Sequence, residues 1–156
     1  MRILLPVDGA FDAKLIIDFV CNYRWLRGTE FKLLHVVGSS HNEDEVIEQV
    51  EKAEGMLDEI AQRITRYLAD ANVEQEVVTG MPVYEILQKA RGWQANMIVM
   101  GYRAGISLNQ HLAGSVSRGV TLQAPCSVVV IRPPAVQHAP GAHHCGTIEN
   151  EFLLEA

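Results

Sequence analysis

Five short apolar runs alternate with segments of helical periodicity through the first 132 residues, and that alternation restricts the fold more than any other feature of the chain. The runs fall at about residues 2–7, 31–37, 73–78, 97–100 and 127–131. Continuous apolar runs separated by amphipathic segments are what strands covered on both faces require. Between them lie amphipathic patterns. Ala13, Ile16, Ile17, Val20 and Cys21 form one stripe, closed by Gly28. A long helix is expected over about 44–71, with Val46, Val50, Ala53, Leu57, Ile60, Ile64 and Leu68 inward and a solvated carboxylate face outward. A shorter helix begins at Gly80-Met81-Pro82, where proline's missing N–H costs nothing, and turns Val83, Ile86, Leu87 and Ala90 inward. A fourth spans about 115–123. The order is βαβαβαβαβ. With right-handed crossovers this is an α/β, single-domain, doubly wound parallel sheet with helices on both faces.

Ligands of such sheets sit beyond the strand C-termini, at the switch point. Three loops reach that edge: Asp8-Gly9, Val36-Val37-Gly38, and the stretch from Gly101 to Ser115. The last stands out. Residues 100–117 read MGYRAGISLNQHLAGSVS, a strand end, a glycine-containing loop, then a helix start rich in small hydroxyl residues. Backbone N–H groups and a helix N-terminus so presented suit a phosphate, because glycine lets the main chain come close. Each part also has an ordinary reading. Asp8 suits a turn or cap, and Gly114-Ser115 suits a plain helix start. His35 reads as a core histidine, and Arg103 and His111 as solvated loop residues.

Composition narrows the partners. The formal net charge is −6 and the basic residues are scattered, which argues against a nucleic-acid surface. No apolar run has the length of a membrane span, and the first residues read as a strand rather than a leader. Cys21, Cys126 and Cys145 lack metal-type spacing, so reduced thiols in a cytoplasmic protein are expected. Residues 133–156 change character, with proline, glycine, alanine and histidine and no periodicity, and read as a C-terminal tail after a domain of residues 1–132. His143-His144-Cys145 lacks the geometry of a closed metal site, and no metal site is expected.

Taken in order, ILLPVDG, LLHVV, the Gly-Met-Pro turn and VMGYRAG…AGSVSRGV…APCSVVVIR resemble the universal stress protein family over about residues 2–132. That resemblance implies a five-stranded sheet in the order 3-2-1-4-5. It also implies a homodimer through the last strand, Ser127–Ile131, whose apolar edge needs cover. One branch of the family binds ATP through G-x2-G-x9-G-[ST]. Here Gly101 matches the first glycine and Gly114-Ser115 the last pair, while Ala104 replaces the middle glycine and Gly105 follows it. Carried over residue by residue, the resemblance puts Pro6, Val7 and Asp8 at the ribose and adenine. It puts Val36 at the adenine edge and Met100 beside the base or sugar. Gly101, Ala104, Gly105, Gly114, Ser115, Val116 and Ser117 then surround the phosphates. Mg2+ or Mn2+ would enter only as the nucleotide complex.

Catalysis has little support. There is no Walker A lysine and no nucleophile elbow, so slow ATP hydrolysis is the most that is expected. Three readings stay open: a nucleotide-binding regulatory module, a nucleotide-free member of the family acting by protein contact, and an enzyme on adenine nucleotides. Ala104 favours the second; Asp8, Gly101 and Gly114-Ser115 favour the first.

Overall fold

The computed structural model describes residues 1–102 and 115–132. Ala104, Gly105 and Gly114, together with Arg103, His111 and the tail from residue 133, lie outside the described residues. The elements are β1 (Arg2–Pro6), α1 (Ala10–Asn22), β2 (Glu30–Val37), α2 (Glu43–Tyr67), β3 (Asn72–Thr79), α3 (Pro82–Gly92), β4 (Met97–Gly101), α4 (Ser115–Gln123) and β5 (Ser127–Ile131). All strands are parallel, in the order β3-β2-β1-β4-β5. The doubly wound five-stranded sheet is therefore as expected.

Strand residues alternate between two cores. Ile3, Leu5 and Val7 join Phe31, Leu33 and Val99 beneath α1 and α2. Leu4, Leu34, Ile98 and Met100 lie on the other face, beneath α3 and α4. Because β1 is central, its residues 3–5 are wholly buried, which explains a run with no polar side chain. The chain winds to one side through β1, β2 and β3, then crosses to β4 and β5, so the switch point lies between β1 and β4.

Some boundaries differ from the sequence expectation. The first strand ends at Pro6 rather than residue 7, and the first helix ends at Asn22, well before Gly28. Tyr23 turns extended, and Trp25 folds back to donate its Nε1–H to the Val20 carbonyl at 2.8 Å. Trp25 also meets Phe31 edge-on, with centroids 5.3 Å apart, so aromatic packing replaces a last helical turn. In α2 the inward stripe is shorter than its periodicity. Ala53, Leu57, Ile60 and Ile64 are buried, but Val46, Val50 and Leu68 are only half-buried. Its 25 residues span about 37 Å. The eight residues of β2 span only about 26 Å, so the ends of α2 overhang. Gly101 closes β4, opposite Ile131, instead of opening the following loop.

Candidate functional site

Sheet order alone makes β1, β2 and β4 neighbours, so Pro6-Val7-Asp8, Val36 and Met100-Gly101 come out side by side at the strand C-termini. Gly9 produces the turn. Its φ of 149° and ψ of −178° place it at the N-cap of α1, in a region open to glycine almost alone. The chain thus leaves β1 and enters α1 within three residues, with Asp8 exposed at the bend and one place before the cap. Pro6 and Val7 are buried beneath it. Across the switch point α4 begins at Ser115, which is exposed; Val116 packs against the α3–α4 core, and Ser117 is buried. Six predicted site residues therefore lie at strand ends, and Ser115–Ser117 form the first turn of the neighbouring helix.

Met100 is the most enclosed of the residues on β4 that reach this edge. Its side chain is 5% exposed and lies within the α3–α4 core, so it floors this region from below. Two side chains that sequence reasoning did not assign to the site are also here. Asp12, in the first turn of α1, is 5% exposed and reaches the end of β4. A Cβ built on Gly101 would lie 2.6 Å from the Asp12 Oδ1. The signal was present in the sequence: residues 12, 16 and 20 share one helical stripe, and a carboxylate heads an otherwise apolar row. His35 is half-buried, and its Nδ1 lies 2.7 Å from the Val7 carbonyl, so it is a satisfied histidine at the rim of the core.

Beyond β4, the Tyr102 N–H donates to the Ile131 carbonyl at 2.8 Å, and the Arg132 guanidinium lies 4.2 Å from the centre of the Tyr102 ring. These contacts tie down the point where the Gly101–Ser115 loop departs. Elsewhere, a hollow of about 330 Å3 on the flank of α3 is lined by Lys32, Glu85, Lys89 and Trp93, among others. Lys32 pairs with Glu74 at 2.9 Å, and Lys89 pairs with Glu76. The two cations of that hollow are thus committed to structural pairs, and it is a poor anion site. Among the described residues no cluster of histidine, cysteine and carboxylates could hold a metal, and no helix is long and apolar enough to cross a membrane.

Comparison with known proteins gives a consistent result. Residues 1–132 match the model of the universal stress protein family. Universal stress protein MJ0531 of Methanocaldococcus jannaschii is 30% identical over 142 residues, covering 85% of this chain and 82% of that protein. Universal stress protein YxiE of Bacillus subtilis is 27% identical over 148 residues, covering 84% and 98%. Among solved structures, the universal stress protein from Archaeoglobus fulgidus in complex with dAMP superposes with a TM-score of 0.64 at 26% identity, covering 84% of this chain and 97% of that one.

Proposed function

The chain belongs to the universal stress protein family, and from that premise we propose that it is a regulatory module binding ATP or a related adenine nucleotide at the β1–β4 switch point. The observation that carries this reading is the convergence of three strand ends and the first turn of α4 on one edge of the sheet. The dAMP complex of the Archaeoglobus relative supports the same ligand class. In this reading Pro6 and Val7 back the base and Asp8 binds the ribose hydroxyls. The Val36 main chain meets the adenine edge, and Met100 supports base or sugar from beneath. The phosphates lie against Gly101, the loop containing Ala104, Gly105 and Gly114, and the N-terminal turn of α4 at Ser115, Val116 and Ser117. A divalent Mg2+ or Mn2+ arrives with the nucleotide, held mostly by phosphate oxygens and water.

The module acts by conformation. Nucleotide shifts an equilibrium only as far as it binds one state better than another. A homodimer through β5 is part of the proposal, supported by a strand of half-buried valines at the sheet edge. A cytoplasmic setting is supported by the free thiols of Cys21 and Cys126.

Ala104 favours a second reading, a nucleotide-free dimer acting through protein contacts, because its Cβ restricts both close approach and backbone conformation. Isothermal titration with ATP·Mg2+ separates the two. Parent protein, Asp8→Ala and Ala104→Gly are titrated side by side. Heat from the parent that Asp8→Ala removes supports the nucleotide module. Silence from the parent with binding by Ala104→Gly means that one methyl group has closed the site. Silence from all three refutes the nucleotide reading and leaves the interaction protein.

A further inference from the structure

In a parallel pair, a residue's N–H and C=O face the same neighbouring strand, and successive residues alternate between neighbours. The Val7 N–H donates to the Leu34 carbonyl at 2.9 Å, and the Gly80 N–H donates to the Val37 carbonyl at 2.9 Å. Leu34 therefore faces β1 and Val37 faces β3, so the N–H and C=O of Val36 are directed at the exit of β1. The next regular rung would run from the Val36 N–H to the Val7 carbonyl. That carbonyl is engaged by a side chain: His35 Nδ1 lies 2.7 Å away. A carbonyl only accepts, so Nδ1 carries the proton and donates. Among the described residues, the backbone ladder between β1 and β2 ends with Val7 N–H to Leu34.

We propose that His35 is a positioning residue for adenine selectivity: by holding the Val7 carbonyl it keeps the Val36 N–H and C=O turned into the crevice for the base. The proposal rests on the nucleotide reading for its ligand, though the geometry stands apart from it. His35 itself touches no part of the base. By strand alternation it lies on the face of Leu33, which packs in the α1–α2 core, while Val36 packs in the other core. Its effect passes through Val7. An N–H beside a C=O complements a ring-nitrogen acceptor beside an amino donor, which adenine presents. Guanine has a carbonyl acceptor in place of that amino group. A carbonyl can accept two bonds, so what His35 supplies is direction: without it the Val7 carbonyl is free to turn to its regular partner, the Val36 N–H, and one recognition group is withdrawn.

Two readouts test this on the parent, His35→Leu and His35→Asn, with circular dichroism confirming that each folds. Asparagine keeps a short side-chain N–H donor; leucine removes it. The first readout is titration with ATP·Mg2+ and GTP·Mg2+. His35→Leu is expected to lose about tenfold in ATP affinity, the scale of one hydrogen bond, and to narrow the ATP-to-GTP ratio. His35→Asn is expected to restore most of both. The second readout is amide hydrogen exchange at Val36 in nucleotide-free protein. It is expected to be fast in the parent, slower in His35→Leu, and near the parent rate in His35→Asn. A parent in which Val36 is as protected as Leu34 overturns the proposal. So does a His35→Leu variant with an unchanged Val36 exchange rate or an unchanged nucleotide ratio. A parent that binds neither nucleotide refutes the proposed function, and the exchange rates then still decide the role of His35.

Discussion

Replacing Gly101 with alanine puts a methyl group where the Asp12 carboxylate already stands. The new Cβ would lie 2.6 Å from Oδ1, 3.1 Å from Cγ and 3.4 Å from Cβ of Asp12. A carbon and an oxygen not formally bonded approach comfortably to about 3.3 Å, so the overlap is roughly 0.7 Å. Neither side yields easily. Gly101 is fixed in β4 opposite Ile131, and Asp12 is buried in the first turn of α1. Overpacking of this size costs about 1–3 kcal/mol, offset by about 0.5–1 kcal/mol from the lower backbone entropy of alanine in the unfolded chain. The net expectation for Gly101→Ala is a loss of about 1–2 kcal/mol, or roughly 4 °C of melting temperature per kcal/mol for a domain of this size. Urea titration of Gly101→Ala, Asp12→Ala and the double variant measures the coupling directly. If Asp12 is what excludes a side chain at 101, the double variant is more stable than the sum of the singles by about 1–2 kcal/mol. Additivity within about 0.4 kcal/mol would refute the reasoning and return Gly101 to a purely ligand-driven requirement.

Gly9→Ala forces an unfavourable backbone region at the α1 cap and is expected to destabilise by about 1–3 kcal/mol, read by the same denaturation. Phe31→Ala removes a fully buried ring that packs against Trp25 and is expected to cost about 3–5 kcal/mol, with a change in Trp25 fluorescence. Burial pushes the Cys21 thiol up, partly opposed by Arg63 and reinforced by Asp18, and burial pushes Cys126 up as well. A raised pKa leaves less thiolate at neutral pH, so iodoacetamide is expected to modify both more slowly than free cysteine, with the rate rising only at higher pH. A pH–rate midpoint at or below that of free cysteine would contradict this. Val129→Asp in β5 is expected to abolish the proposed dimer, read as a halved mass in sedimentation equilibrium; a parent already monomeric removes that part of the proposal.

Much of this molecule is legible in its sequence. Strands and helices follow from apolar runs and 3.6-residue stripes, which are local properties of the chain. The parallel sheet follows because such runs must be covered on both faces. That the ends of β1, β2 and β4 share one edge follows from the strand order, which pattern and family resemblance together supplied. Tertiary structure decided what depends on distance between segments remote in sequence. Asp12 and Gly101 are 89 positions apart by their numbering, and helical periodicity carries no sign that they meet across the switch point. His35 was legible as a satisfied histidine, but its partner, Val7, lies on another strand. Periodicity could not show that α2 outruns the sheet, because a helix pattern carries no record of the length of what it covers. Sequence therefore set the elements and their order. The contacts that shape the site's edge, Asp12 on Gly101 and His35 on Val7, came from packing, because a side chain's partner is set by three-dimensional proximity rather than by its neighbours in the chain.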